Sequence, residues 1–230
     1  MALTDKLTSI ADAIRDKTGK TEEMTLDQMA TEIAGIETGG GEDYLAQRLT
    51  NTITHYENNS ITKILGSSFR DCVSLVSIHC ENVTLIKENA FYGAINLETA
   101  HFPSVTEMWY AAFRDCFKLK EFVVLTPQTR ASGGNGESFS RCEVLEKVDI
   151  NINKIDDRFF WYCKALNAII LRKADAITIN GGTNTFTGSA IANGTGYIYV
   201  PSALLETYKT ATNWSVYADR FRTIEGSAYE

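Results

Sequence analysis

The sequence predicts an α+β fold: a solenoid of short stacked strands, opened by a helical hairpin and closed by a strand and helix. Three observations carry this. First, one pattern recurs: Ile61, Ile64, Phe69, Cys72, Leu75, Ile78; then Val83, Ile86, Phe91, Ala94, Leu97, Ala100; then Val105, Met108, Phe113, Cys116, Leu119, Phe122. Second, the pattern resumes twice after a polar insertion, as Phe139, Cys142, Leu145, Val148 and as Phe160, Cys163, Leu166, Ile169. Third, a decayed copy spans Ile177 to Ala192, with Phe186 and Ser189 in place. The spacings between the phenylalanines are 22, 22, 26, 21 and 26 residues. A period of about 20–29 residues marks a leucine-rich array in which each unit buries its apolar face only against its neighbours.

Residues 1–38 precede the array. Leu3, Leu7, Ile10, Ala11 and Ile14 have helical spacing that ends at Thr18-Gly19, and Leu26, Met29 and Ile33 make a second stripe behind a capping Thr25. This helical hairpin is too small to be stable alone, so it is expected to attach the chain to a partner or to further copies of itself. Residues 39–43, which begin with Gly39-Gly40-Gly41, read as a hinge. The solenoid is expected over 44–195, with Ile53 and Tyr56 in an atypical opening rung. Extra residues fall in loops such as Thr126 to Glu137, where added length costs little. The closing cap is expected over 196–230: Tyr197 to Val200 as a strand stopped by Pro201, a helix capped by Ser202, Trp214 plugging the open core, and a frayed tail after Gly226.

Composition limits the function. The chain has 230 residues, is 44% hydrophobic and carries a net charge of −7 with its charges scattered, which argues against a nucleic-acid partner. No run of apolar residues is long enough to insert in a membrane, and the opening Met1-Ala-Leu-Thr-Asp-Lys lacks the basic start and apolar run of a secretory signal. Four of the five cysteines, at 72, 116, 142 and 163, share a slot with Ala94 and Ser189, which asks for a small inward side chain and reads as reduced and structural. No cofactor motif, nucleophile elbow, phosphate loop or zinc-protease motif is present, so the chain reads as non-enzymatic.

The Ile-x-x-x-[Ala/Ser]-Phe-x-x-Cys-x-x-Leu-x-x-Ile unit resembles the BspA-like leucine-rich repeat family over roughly residues 50–195. The flanks are similar to prophage tail-associated proteins of Gram-positive gut bacteria. The stretches concerned are Leu7 to Gly19 with Leu26-Asp-Gln-Met-Ala30, and Tyr197-Ile-Tyr-Val-Pro201 with Trp214-Ser-Val-Tyr217. The resemblance implies a phage tail or fibre protein that recognises a host-surface protein or glycan, located on the virion, with the hairpin bound to tail components or forming an oligomer, a trimer by analogy with fibres. The alternatives are a cell-surface or secreted adhesin and a virion scaffold. The family ordinarily has Gly after the leading Ile; here Leu65, Lys87, Trp109 and Asp156 stand there.

Two faces offer binding residues. On the strands, Ser77, His79, Glu81, Thr99, His101, Glu121, Val123, Lys147, Asp149, Asn151, Ala168, Ile170 and Arg172 are expected to point outward. His79 and His101 share a slot on adjacent rungs, with Glu57 below and Val123 above; a surface ladder is the preferred reading over a metal site. On the turns, Arg70, Tyr92, Arg114, Arg141, Trp161 and Tyr162 follow the repeat phenylalanines, and Trp109, Tyr110 and Phe159 precede them. Trp, Tyr and Arg dominate interface hot spots, which makes the turns the sharper candidate.

Overall fold

Alternating apolar residues, two apart, make the chain extend and pair with its own copy one repeat away. The computed structural model describes residues 51–126, 134–180 and 182–230; the hairpin, the glycine hinge and the tip of the polar insertion lie outside these. Thr54 to Glu230 form one compact unit.

The wide strand face consists of β1 (His55–Glu57), β3 (Ser77–His79), β5 (Thr99–His101), β7 (Glu121–Val124), β8 (Lys147–Ile150), β10 (Ala168–Leu171), β12 (Tyr197–Val200) and β13 (Phe221–Thr223). They form one sheet of order β1-β3-β5 and another of order β7-β8-β10-β12-β13. Pairing is parallel, and repeat-equivalent residues are partners: His55, Ser77 and Thr99 in one column, Glu121, Lys147 and Ala168 in another. A second, narrow face is built from β2 (Lys63–Ile64), β4 (Leu85–Ile86) and β6 (Glu107–Met108), and from β9 (Lys154–Ile155) with β11 (Thr178–Ile179).

The turn after each narrow strand forms a third ladder. The amide of each repeat phenylalanine donates to a carbonyl of the next rung, from Phe69 to Ala90 at 2.7 Å through Phe160 to Thr185 at 3.0 Å. Two residues later the amides of Asp71, Gly93, Asp115, Arg141 and Tyr162 do the same, onto Tyr92, Arg114, Ser140, Trp161 and Thr187. The sharp turn puts residues on either side of the phenylalanine into the left-handed region: Ser67, Asn89, Ala111, Glu137 and Arg158 before it, Asp71, Gly93, Asp115, Arg141, Tyr162 and Gly188 after it. Only glycine occupies that region without cost.

Inside the three ladders the repeat phenylalanines stack nearly parallel. From Phe69 through Phe91, Phe113, Phe139 and Phe160 to Phe186, successive ring centroids are 5.3, 4.8, 5.5, 5.8 and 5.7 Å apart. Leu75, Leu97, Leu119, Leu145 and Leu166 are buried beside them. The small slot is inward as expected: all five cysteines are buried thiols. Those of Cys116, Cys142 and Cys163 donate to the carbonyls of Phe91, Phe113 and Phe139 one rung back, at 3.2, 3.1 and 2.9 Å.

The C-terminal cap closes the array. After Pro201 comes a short 3-10 turn (Ser202–Leu204), then α1 (Leu205–Thr210) and a second 3-10 segment (Ser215–Arg220) that delivers β13 beside β12. Buried Trp214 lies 6.0 Å from Phe186, ending the phenylalanine column. Its Nε1 donates to the Ile177 carbonyl, the Tyr208 hydroxyl accepts the Ile177 amide, and Asn213 Nδ2 donates to the Ile179 carbonyl. Cap side chains thus occupy the hydrogen-bonding groups at the edge of the last narrow strand, where an open edge would invite another chain.

Three expectations need correction. Ser202 makes no side-chain cap; its amide donates to Glu225 Oε2, because the chain enters through a 3-10 turn led by Pro201. The tail does not fray: Tyr229 packs edge-on against Tyr199, 4.7 Å between centroids, and its carbonyl accepts from Arg172 Nη2. That tail covers the outer sheet face, so Ala168 and Ile170 are buried under Tyr199, Ile224 and Tyr229 rather than exposed. Asp149 is also covered, 7% exposed, and is gripped by Arg172 through two bonds of 2.7 and 2.8 Å.

Arg172→Ala strands the Asp149 carboxylate under the tail and should cost about 3–5 kcal/mol in urea unfolding, while Asp149→Ala/Arg172→Ala should cost less than the single change. Burial pushes the Cys80 thiol from its ordinary 9.0 up to about 11 and raises those of Cys116, Cys142 and Cys163 further. Groups raised by folding contribute stability that is complete below the unfolded value and is lost as pH climbs through the folded one. Stability should hold up to about pH 9 and fall above it, and the native thiols should be silent to a thiol-reactive dye until denaturant is added.

Candidate binding faces

On the turn face, Arg70, Tyr92 and Arg114, the residues after three successive phenylalanines, lie side by side, whereas Ser140 in the same column is buried. Tyr92 sits between two guanidinium groups, with Arg70 Cζ 4.6 Å and Arg114 Cζ 5.5 Å from its ring centroid. Arg114 Nη1 also bonds Glu137 Oε2, and Arg158 Nη1 reaches Glu137 Oε1 at 3.3 Å. Tyr110 joins the same group: partial burial, then a hydrogen bond with Glu137, raises its hydroxyl above the ordinary value. Beside them Asp115, almost fully buried, faces Arg141 Nε at 3.3 Å, and the Arg141 guanidinium lies 5.3 Å from the Phe117 ring. Arg70, Tyr92, Arg114 and Tyr110 are thereby joined into one patch.

Trp161 and Tyr162 pack edge-on against each other at 4.4 Å. The Tyr162 ring lies flat on Gly188, where any Cβ would come within 3.1 Å of it. Tyr110 and Tyr162 stay 45% and 41% exposed, so each ring offers an open side. The two Trp-Tyr pairs are not equivalent, since Trp109 precedes its phenylalanine by four residues and Trp161 follows its own by one. Trp109 extends the end of β6 instead, with Nε1 on Glu107 Oε1 at 2.7 Å and Lys87 Nζ 4.0 Å over the ring. Phe159, grouped with the exposed rings in the sequence, is core, packed edge-on against Phe160 and Phe139 at 4.7 and 5.4 Å.

Two features escaped the sequence reading. Glu137 and Asp115 are the nearly buried carboxylates that orient the arginines; both stand at left-handed turn positions that no composition rule reveals. Val73 and Ile95 form an exposed apolar column with half-buried Phe117 on three consecutive rungs, replaced further on by the Glu143–Lys164 ion pair at 2.8 Å. The signal was the residue directly after the small slot. At Asp156 burial opposes the charge, but Asn180, the Asn135 amide and Lys154 bond it and hold its carboxyl below the ordinary value. It staples the loop that resumes the array.

On the strand face, His79 and His101 are register partners with ring centroids 4.4 Å apart. The carboxylate they meet is Glu81, whose Oε1 is 2.6 Å from His79 Nε2 and 3.4 Å from His101 Nε2. The bond from His79 holds the Glu81 carboxyl below its ordinary value. His55 Nδ1 contacts Ser77 Oγ at 2.7 Å, in the neighbouring column. Toward the C-terminus this face is closed by the tail.

The sequence signature of the BspA type leucine-rich repeat region matches residues 47–167 in 6 copies. The chain belongs to the BspA type leucine-rich repeat family. Leucine-rich repeat families are typically non-enzymatic binding modules, and their domains mediate protein–protein interaction. A leucine-rich cell surface protein from Faecalibacterium prausnitzii has a similar structure, with 25% identity, a TM-score of 0.52, and 64% of this chain and 39% of that one covered. A leucine-rich repeat protein from Bacteroides ovatus aligns at 19% identity and a TM-score of 0.48 over 70% of this chain and 46% of that one. The T. pallidum leucine-rich repeat protein aligns at 19% and 0.40, over 56% of this chain and 70% of that one. The BspA type chain therefore spans less than half the length of the first two. No curated protein matches it. Among its described residues no helix is long and apolar enough to cross a membrane.

In this BspA type array Glu137 should be the structural keystone of the turn patch. Glu137→Ala leaves Arg114 without its carboxylate and should cost about 1.5–3 kcal/mol in chemical denaturation. Arg70→Ala removes an exposed ion pair with Asp71 and an exposed contact over the Tyr92 ring and should stay within about 1 kcal/mol.

Proposed function

We propose that the chain is a non-enzymatic binding module of adhesin type, which presents its turn face to a protein or glycan at a bacterial surface. The observation that supports this most is the Arg70–Tyr92–Arg114 stack. It is anchored at Arg114 by the nearly buried Glu137 and flanked by the open rings of Tyr110 and Tyr162 and by the Val73–Ile95–Phe117 column. Groups already fixed by such contacts lose little entropy on binding, so their contact area converts efficiently into affinity. Aromatic faces suit apolar protein surfaces and sugar rings alike, while Arg70 and Arg141, each with an open side, supply directional hydrogen bonds. Trp161 packs with Tyr162 at the C-terminal end of the same face.

The cell-surface setting is supported by BspA type membership and by the Faecalibacterium relative, itself a cell surface protein. A second reading, host recognition from a phage tail, rests on the resemblance of Leu7 to Ala30 and of Tyr197 to Tyr217 to prophage tail proteins. Residues 1–38 then serve as the attachment or oligomerisation segment in either setting.

Binding of the purified full chain to whole gut bacteria, read by pull-down, tests the surface. Tyr110→Ala/Trp161→Ala should lose at least about tenfold in retained protein with its circular dichroism unchanged, as hot-spot residues do. Equal retention of variant and wild type would remove the turn face as the site.

A further inference from the structure

The strand face carries a cluster that the turn-face reading leaves unused. Parallel in-register pairing makes His79 and His101 neighbours on adjacent rungs, and Glu81, two residues along, curls back to both. Each contributes one ligating atom, and the three atoms lie within 4.8 Å of one another. We propose that His79, Glu81 and His101 form a surface site for a divalent transition metal of the zinc class.

The donor chemistry selects the metal. Two imidazoles and one carboxylate make a three-ligand set of the kind that holds Zn²⁺ with a fourth position open. Magnesium and calcium prefer all-oxygen shells and have no claim on such a set. Ligands about 2.0–2.1 Å from a tetrahedral zinc lie about 3.3 Å from one another. The His101–Glu81 separation of 3.4 Å already has that value; on binding, the 2.6 Å His79–Glu81 contact opens and the two imidazole nitrogens, held within 4.8 Å, rotate closer.

The scaffold holds the set in place. His79 ends β3 and His101 ends β5, so their backbones are tied by the rung pairing. Glu81 is fixed from below: its amide donates to Asn59 Oδ1 at 2.8 Å, and Asn82 Nδ2 donates to the Asn59 carbonyl at 2.8 Å. The side chains are 45%, 47% and 54% exposed for His79, Glu81 and His101, so the fourth corner opens to water or to a donor from another molecule. The cluster lies on strands the tail does not cover, and its only competitor is a hydrogen-bonded surface trio, which binds nothing.

The test is calorimetric titration of Zn²⁺ into the full chain prepared without a polyhistidine tag, followed by Co²⁺ absorption. The expected result is one saturable site per chain and a Co²⁺ spectrum of nitrogen and oxygen ligands without a thiolate band. His79→Ala/His101→Ala should weaken it by at least about 100-fold, the upper end of what losing even an outer-shell partner costs. His55→Ala, which alters the one other histidine, should leave it unchanged. Absence of saturable binding, a thiolate band, or equal affinity in the double variant would overturn the site.

Discussion

Everything in the array depends on hydrogen bonds that run from rung to rung on three sides at once. A strand pair satisfies one side. Here the amide of each repeat phenylalanine and the amide two residues later extend the ladder around the turn, so the backbone of nearly the whole coil is committed to its neighbour. This constraint fixes what each position can hold. Both turn flanks are forced into the left-handed region; Asn89, Asp71, Asp115, Gly93 and Gly188 suit it, while Ser67, Ala111, Glu137, Arg141, Arg158 and Tyr162 occupy it at a cost. The slot after the phenylalanine must be small because the next rung follows at strand spacing, about 4.8 Å. A thiol fits and also donates to the preceding phenylalanine carbonyl, which alanine at 94 cannot do.

Such a ladder has no intrinsic end, and an unfinished edge is a site for unwanted pairing. The C-terminal module resolves this chemically: Tyr208, Asn213 and Trp214 bond the Ile177 and Ile179 backbone with their side chains. The Trp214 indole then closes the phenylalanine column sideways rather than by stacking on it, 43° from the Phe186 plane. The same module sends its tail back over the wide sheet. One short segment therefore ends the core, protects the edge and decides how much of the strand face meets solvent.

The core was readable in the sequence because repetition is itself the signal: phenylalanine, small residue and leucine return at fixed offsets, and each is buried where the offsets place it. The exposed faces were only partly readable. Ala168 and Ile170 obey the outward parity of a strand yet are buried, because the segment that covers them arrives from far along the chain, Tyr229 lying 57 residues beyond Arg172. Pairwise spacing carries no trace of so distant a contact. Trp109 and Trp161 looked alike as letters beside tyrosines but occupy different columns, which only alignment to the phenylalanines distinguishes. The histidine column was visible, whereas its carboxylate was not: register points to Glu57, and the turn after β3 brings Glu81 instead.

The buried carboxylates explain why the turn face can be both rigid and open. An arginine standing alone on a surface samples many rotamers and loses that freedom on binding. Asp115 and Glu137, each about a tenth exposed at the side chain, draw Arg141, Arg114 and Arg158 into fixed positions. Holding those acids charged in a nearly buried place is itself costly unless cations pair with them, so the acids and the arginines require each other. Tyr92 then lies between Arg114, which Glu137 holds, and Arg70, whose ion pair with Asp71 is exposed. What faces outward is the remainder: ring faces, guanidinium edges and an apolar column, ordered by forces that act inside the protein. A surface arranged in this way has less side-chain freedom left to lose.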